Sequence, residues 1–140
     1  MPKIVVGVDG SDQSMAAVRW ASTEAQLRGA SLELVSAWSI PQIAAGSVTQ
    51  DVVDALEASA KDAVSRAQAE VGTLAPDVKV VAEAAEGHPA EILVHRARDA
   101  ELLVVGARGL GGLKALLLGS VSQECGQHSV VPVVIVRGQH

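Results

Sequence analysis

Apolar segments of strand length alternate along the chain with segments whose apolar residues recur at helical spacing. The strand-length segments lie at about residues 3–9, 31–37, 78–83, 101–106 and 131–136. Three of them are nearly continuous runs of Val, Leu and Ile, which is typical of strands that are covered on both faces. The alternation predicts an α/β fold made of repeated βα units, with one open five-stranded parallel sheet and helices on both of its faces.

Four helices are predicted, from the spacing of apolar residues and from the residues at the helix ends. Gly29 and Gly72 stand just past the ends of the first two helices, where glycine is common. Pro89 marks the start of the third helix, because proline is favoured at the first helical position. The predicted helices cover about residues 13–28, 51–71, 89–99 and 119–128.

The apolar stripes of the first two helices identify side chains that we expect to pack on the sheet. In the first helix, Ala17, Ala21 and Leu27 recur beside Trp20. In the second helix, the stripe begins at Val52 and continues through Leu56, Ala60, Ala63, Ala67 and Val71.

Length, charge and composition exclude several classes of protein. The chain has 140 residues, which predicts a single domain over residues 1–140. A net charge of −5 and a near absence of aromatic residues argue against nucleic-acid binding. The lone Cys125 excludes a disulfide framework and makes the cytoplasm the expected location. The sequence has no apolar run of about 20 residues, so we expect no membrane span.

Glycine is concentrated after the fourth predicted strand. Four of the thirteen glycines lie within residues 106–112, and Gly119-Ser120 begins the last helix. Glycines let backbone N–H groups approach a ligand, and the N-terminus of a helix attracts anions. With Arg108 and Lys114 nearby, this pattern predicts an anion-binding site.

Two well-known phosphate-binding loops do not fit this segment. A P-loop beginning at Gly106 requires Gly-Lys-Ser/Thr from position 111, and the residues there are Gly111-Gly112. The dinucleotide fingerprint beginning at Gly109 requires glycine at position 114, which is Lys114. NAD-dependent hydride transfer is therefore disfavoured.

The segment instead resembles the ATP-binding motif of the universal stress protein family. Gly106 is followed after two residues by Gly109, and after nine more by Gly119-Ser120. The stretches Val5–Ser11, Gly119–Ser122 and Pro132–Val136 are also similar to the opening and closing elements of that family. The resemblance implies the ATP-binding branch of the family and a Rossmann-like fold, similar to adenine nucleotide alpha hydrolases, with strand order 3-2-1-4-5.

The resemblance and the sheet order give the same location for the ligand. Ligands of open parallel sheets bind beyond the carboxyl ends of the strands where the strand order reverses, here between the first and fourth strands. Asp9 and Gly106 lie at these two strand ends. By resemblance, the adenine and ribose would be bordered by Gly7, Val8, Asp9 and Ala37. The phosphates would be held by the loop and helix start that comprise Gly106, Ala107, Arg108, Gly109, Gly111, Gly112, Gly119, Ser120 and Val121.

Each candidate residue also has a purely structural interpretation. The glycines could serve only loop flexibility, and Arg108 and Lys114 could be solvated surface charges. Asp9 is one of three possible N-caps of the first helix, beside Ser11 and Asp12. We expect Ser120 to be the N-cap of the last helix, a role that is compatible with phosphate binding.

Other candidate chemistry is weaker. His88, Glu91 and His95 have spacings that suggest a metal site, but we expect His88 to occupy the cap position before Pro89, outside the helical geometry. We expect Cys125 to be a buried small hydrophobe rather than a nucleophile paired with His128. No metal site and no catalytic residue are therefore predicted.

We conclude from the sequence that the chain is an ATP-binding stress or signalling regulator with little or no turnover. Fast phosphoryl transfer requires a base, and none is evident beside Asp9, so the protein is not expected to be an enzyme. Mg²⁺ would be held mainly by the phosphates. The alternatives are a slow ATP hydrolase, a binder of cyclic or shorter adenine nucleotides, and an interaction module without a ligand.

The fifth strand predicts a homodimer. Pro132 cannot donate a ladder hydrogen bond, which indicates an edge strand. The apolar run from Val130 to Val136 carries no charge to protect that edge from another chain. A second copy paired along this strand is the simplest cover, and the family resemblance also implies such a dimer.

Overall fold

The structure is a computed structural model that describes residues 2–40, 48–108 and 119–138. Its strands form one parallel sheet in the order β3-β2-β1-β4-β5, which confirms the predicted order. The strands are β1 Lys3–Gly7, β2 Ser31–Trp38, β3 Val80–Glu86, β4 Leu102–Gly106 and β5 Val133–Val136. The helices are α1 Asp12–Arg28, α2 Gln50–Leu74, α3 Pro89–Arg96 and α4 Ser120–His128.

Helices cover both faces of the sheet, as predicted. On one face, α1 and α2 enclose a core that contains Ile4, Val6 and Leu34. On the other face, α3 and α4 contribute Leu93 and Cys125 to a second core. Alanine supplies much of the helical packing surface, so the helices lie close to strands built from valine and leucine.

The ends of several elements differ from the prediction. Gly72 lies inside α2, which continues to Leu74 and ends where the Ala75 N–H donates to the Val71 carbonyl at 2.7 Å. Strand β3 is shifted toward the carboxyl end, because β2 pairs with it as far as Trp38 opposite Glu86. The alanines in this part of β3 carry little strand propensity, so the sequence pattern does not reveal it.

The other strand and helix ends depart by a few residues. Strand β1 ends at Gly7, β5 begins only at Val133, and the α-helical part of α3 ends at Arg96. A short 3-10 turn, Ala97–Asp99, follows α3. Before β5, the Ser129 hydroxyl bonds the backbone of Val131, so this part of the apolar run forms a turn rather than strand.

The predicted stripe of α1 is partly wrong. Ala17 and Ala21 are fully buried, but Leu27 is 77% exposed and Trp20 is also exposed. The buried residues include Ser14 and Ser22, so small side chains of both polar and apolar type face the sheet. Close approach of the helix to the sheet therefore decides the buried face more than side-chain hydropathy does.

The first turns of α2 are also more exposed than predicted. Val52 is exposed, and the buried residues of the helix begin at Ala60. The predicted face is correct only for its second half. No helix among the described residues is long and apolar enough to cross a membrane.

Candidate functional site

The candidate residues that the structure describes gather at one edge of the sheet, the carboxyl edge, where the parallel strands end. Strand β1 lies between β2 and β4, so the strand order reverses at this point. Gly7 ends β1, Ala37 lies near the end of β2, and Gly106 ends β4. Gly119 and Ser120 begin α4 at the same edge. Gly109, Gly111, Gly112 and Lys114 lie outside the described residues.

The turn between β1 and α1 is shaped by side-chain hydrogen bonds. Asp9 Oδ1 accepts a hydrogen bond from the Ser11 N–H at 2.9 Å. Ser11, not Asp9 or Asp12, is the N-cap of α1, and its hydroxyl accepts from the Ser14 N–H at 3.1 Å. Gly10 between them has φ +85°, a conformation that favours glycine. Asp9 is exposed, and its hydrogen bond with the Ser11 N–H fixes the position of its carboxylate.

Two of the candidate glycines lie where a Cβ atom would meet a neighbouring helix at short distance. A Cβ atom at Gly106 would lie 2.8 Å from the backbone carbon of Gln13, in the first turn of α1. A Cβ atom at Gly7 would lie 2.7 Å from Leu93 Cδ1 of α3. Neither glycine has a positive φ. Their role in this structure is to let helices approach the strand ends, not to provide the positive φ typical of flexible loops.

The end of β4 and the start of α4 are joined directly. The Gly119 N–H donates to the Ala107 carbonyl at 2.6 Å. The Ser122 hydroxyl lies 2.9 Å from the same carbonyl and 3.0 Å from the Gly119 carbonyl. The Ala107 N–H donates to the Val136 carbonyl at 2.8 Å, which ties this junction to the end of β5.

The start of α4 corrects one prediction. Gly119 is the N-cap, and no side-chain cap is formed there among the described residues. Ser120 is instead the first residue of the helix, and it is exposed. The first helical hydrogen bond runs from the Gln123 N–H to the Gly119 carbonyl at 3.0 Å, so the N–H groups of Ser120 to Ser122 precede it. These N–H groups and the Ser120 hydroxyl form a donor set suited to an anion.

Three residues at this edge were not identified from the sequence as site residues. Gln13 Oε1 accepts from the Arg108 N–H at 2.8 Å, and Ser122 is buried in the junction described above. The Arg66 guanidinium of α2 is 3.3 Å from a Cβ built at Gly10, and it pairs with Asp62 at 3.0 Å. The contacts of Gln13 with Arg108, of Ser122 with Ala107 and of Arg66 with the Gly10 turn connect residues far apart in the chain, so no local pattern could have revealed them.

The other candidate chemistry gains no support from the geometry. Cys125 is fully buried, and desolvation raises its pKa to about 11, so the thiol is protonated near neutral pH rather than activated. His88 occupies the cap position of α3, as predicted, and its Nε2 lies 2.9 Å from Glu124 Oε2. Within the described residues there is no group of three His, Cys, Asp or Glu side chains placed to hold a metal.

Comparison with known sequences identifies relatives along nearly the whole chain. The universal stress protein family matches residues 1–137. A universal stress protein of Mycolicibacterium smegmatis is 36% identical over 140 residues, which cover 96% of this chain and 48% of the relative. A universal stress protein of Mycobacterium tuberculosis is 32% identical over 139 residues, which cover 99% of this chain and 49% of the relative. The chain thus spans about half the length of the curated relatives it matches.

Solved structures match the fold over nearly their full length. Universal stress protein UspA from Lactobacillus plantarum has a TM-score of 0.84 and 29% identity, with 97% of both chains covered. A crystal structure of a universal stress protein in complex with cAMP has a TM-score of 0.76 and 29% identity, with 99% of this chain and 98% of the other covered.

Proposed function

We propose an ATP-binding role for this chain, which belongs to the universal stress protein family. The observation that carries the proposal is the junction at the carboxyl edge, where the Gly119 N–H meets the Ala107 carbonyl at 2.6 Å. This contact brings the two described ends of the glycine motif together beside the first turn of α4. A nucleotide phosphate is the common biological anion that such helix starts bind.

In this proposal the phosphates and the nucleoside of the nucleotide contact different elements. The first-turn N–H groups of α4 and the Ser120 hydroxyl donate to the phosphates. Asp9, held by the Ser11 N–H, accepts from the ribose, and Val8 and Ala37 border the adenine. Arg108 and the motif residues Gly109, Gly111 and Gly112 complete the phosphate side. Mg²⁺ is held mainly by the phosphates.

The test is a substitution that fills the space for phosphate. Gly119 has φ −77° and ψ 170°, which any residue can adopt, so Gly119→Val changes the available space without straining the backbone. We expect micromolar ATP binding by calorimetry, about 8 kcal/mol, and its loss in this variant. Gly126→Val is the matched control in the same helix, because a Cβ built there has no described atom within 4 Å apart from its chain neighbours and the backbone of its own helix. Unchanged affinity in a folded Gly119→Val protein would remove the site from this edge.

A second candidate ligand is a cyclic or shorter adenine nucleotide. It is supported by the similar universal stress protein that was crystallised with cAMP. Titration of the same protein with ATP, ADP, AMP and cAMP separates the candidates. Our proposal predicts the highest affinity for ATP, because each added phosphate meets further backbone donors, and a preference for cAMP would replace ATP by the cyclic nucleotide.

We also propose that the bound nucleotide is turned over slowly or not at all. Fast phosphoryl transfer combines a cation, a metal-binding carboxylate and a base or a group that positions water. Asp9 supplies a carboxylate, but the sequence offers no evident base beside it. The ATPase rate of the purified protein should stay well below the roughly 1 s⁻¹ of slow kinases. A faster rate that is lost in Asp9→Ala would make the chain an ATP hydrolase.

A homodimer through β5 is part of the proposal. Strand β5 is an edge strand whose four residues are all half-buried, whereas Val104 of the neighbouring β4 is fully buried. The opposite edge strand, β3, carries Glu83 and Glu86, which protect it from pairing. The unprotected apolar edge is therefore β5.

Light scattering on charged variants of the two edges tests the dimer. Val134→Lys should give a monomer or an aggregate. Val81→Lys is the matched control, because Val81 lies on β3 and is 62% exposed. A monomeric unmodified protein at tens of micromolar with ATP present would contradict the dimer. The proposed location is the cytoplasm, with a nucleotide rather than nucleic acid or a membrane as the partner.

A further inference from the structure

The junction between β4 and α4 contains a buried hydroxyl whose contacts reach across the chain. Ser122 is 2% exposed, and its Oγ lies 2.9 Å from the Ala107 carbonyl and 3.0 Å from the Gly119 carbonyl. A serine hydroxyl has a single proton, so the two carbonyl groups share it. The hydroxyl therefore holds the last described residues of the β4 end against the first residue of the α4 start.

A second buried serine, Ser22, shows the usual hydrogen bonding of a serine in a helix, from which Ser122 differs. Ser22 of α1 is 1% exposed, and its hydroxyl donates to the Val18 carbonyl at 2.8 Å, within its own helix. Such bonding to the preceding turn is the usual solution for a helical serine. Ser122 makes the corresponding local contact with Gly119 and, in addition, the contact with Ala107, which is 15 residues away in the sequence.

A second side chain holds the same strand end from the other face of the sheet. Gln13 Oε1 accepts from the Arg108 N–H at 2.8 Å. The backbone of Gln13 also packs where a Cβ of Gly106 would be, at 2.8 Å. Residues 106–108 are thus held by α1 on one side and by α4 on the other.

We propose that Ser122 and Gln13 are positioning residues that clamp the two ends of the motif, Ala107-Arg108 and Gly119-Ser120, at the separation that a nucleotide phosphate requires. This clamp rests on the proposed nucleotide-binding function and deepens it. The donors at the start of α4 must meet the phosphates beside the end of β4, and a fixed separation removes the cost of ordering these two segments when the ligand binds. The clamp should therefore matter for phosphates and not for the nucleoside.

The experiment uses nuclear magnetic resonance on the full chain, with Ser122→Ala as the test variant and Ser22→Ala as the matched control. In the protein without nucleotide, Ser122→Ala should speed amide exchange at Gly119 while amides in the middle of the sheet keep their relative protection. It should also weaken ATP binding about fivefold to tenfold, the size expected for one lost hydrogen bond, with adenosine binding unchanged. Ser22→Ala should lower global stability without either local effect.

Gln13→Met tests the other half of the clamp, because it keeps the length of the side chain and removes the acceptor. Amide exchange at Arg108 should accelerate and the ATP affinity should fall, again without a change for adenosine. The clamp is wrong if Ser122→Ala leaves Gly119 exchange and ATP affinity unchanged, or if ATP and adenosine weaken equally. An unmodified protein that binds no ATP would instead refute the proposed function, and the exchange measurements would still decide whether the clamp exists.

Discussion

Ion pairs join the start of β1, strands β2 and β3 and the end of α3, whereas the carboxyl ends of β1 and β4 are joined to neighbouring elements by backbone, amide and hydroxyl hydrogen bonds. The ion-pair network consists of Lys3, Glu33, Glu83, Arg96 and Asp99. Lys3 Nζ lies 3.0 Å from Asp99 and 3.3 Å from Glu33, while Arg96 pairs with Glu33 at 3.0 Å and with Glu83. The carboxyl ends of β1 and β4 are held by short contacts of Ala107, Gly119, Ser122 and Gln13.

The two regions differ in charge, so we relate the ion-pair network to stability and the carboxyl edge to the proposed ligand binding. In the ion-pair network three carboxylates are held by two cations, and an anionic ligand would be repelled there. Glu33 has a side-chain exposure of 15%, and its Oε2 makes no hydrogen bond among the described residues, although Lys3 Nζ is near enough for an ion pair. Within residues 2–40, 48–108 and 119–138, no side chain caps the start of α4, which is the condition that the proposed anion site requires.

The largest effect is expected where the carboxyl edge is most tightly packed. Gly106→Ala places a Cβ 2.8 Å from the Gln13 backbone, which cannot move without shifting α1. We expect the free energy of unfolding to fall by about 3 kcal/mol in urea titrations. Gly126→Ala is the control, and it should raise stability slightly through helix propensity. A neutral Gly106→Ala would show that the edge is loosely packed.

A smaller effect is expected in the ion-pair network. Arg96→Met removes the bond to Glu33 and leaves that half-buried carboxylate with Lys3 alone. The free energy of unfolding should fall by about 2 kcal/mol, because the loss of Arg96 leaves the poorly solvated Glu33 carboxylate with one partner fewer. ATP affinity should not change. A loss of ATP binding with little loss of stability would contradict the separation of the ion-pair network from the proposed binding site.

The Lys3–Asp99 pair of the ion-pair network should make stability depend on pH. A hydrogen bond to Asp99 raises the pKa of Lys3, and the same bond lowers the pKa of Asp99. The stabilisation is present between the two pKa values, and it is lost as the pH falls through the lowered pKa of Asp99 or rises through the raised pKa of Lys3.

Lys3→Met should therefore be less stable than the unmodified protein at neutral pH, by less than Arg96→Met because the Asp99 end of the pair is solvated. The difference should shrink as the pH is lowered below the ordinary range of a carboxyl group. Lys61→Met, which removes an exposed pair with Glu57 in α2, is the control. A difference between Lys3→Met and the unmodified protein that is constant with pH would exclude the Asp99 contribution.

The smallest effect is expected for Arg66, beside the β1–α1 turn. Its guanidinium adds positive potential near Gly10 but is exposed and paired with Asp62. Arg66→Gln should weaken ATP binding about twofold to threefold at low salt, and the difference should vanish at high salt. Arg19→Gln is the matched control, since Arg19 pairs with Glu70. Equal effects of both variants would indicate general charge rather than position.

Elements with strong periodicity were predicted well. Helix α1 ends where Gly29 adopts φ +64°, and β2 differs from its prediction by one residue. Predictions failed where tertiary contacts overrode local signals. Gly72 lies within α2 because packing of that helix on β2 and β3 outweighs the small cost of glycine. Leu27 is exposed because α1 turns smaller residues toward the sheet.

The sequence by itself determined the order of the elements and the edge at which the glycine motif lies, because both follow from periodicity and from the spacing of Gly106 and Gly119-Ser120. Only the tertiary structure decided why Gly106 must be glycine, since the neighbour it accommodates is Gln13 in another element. It also decided the role of Ser122, whose hydroxyl meets the Ala107 carbonyl only when β4 and α4 are packed together. Local patterns record which conformations a segment prefers, but a hydrogen bond between distant segments exists only after the chain has folded.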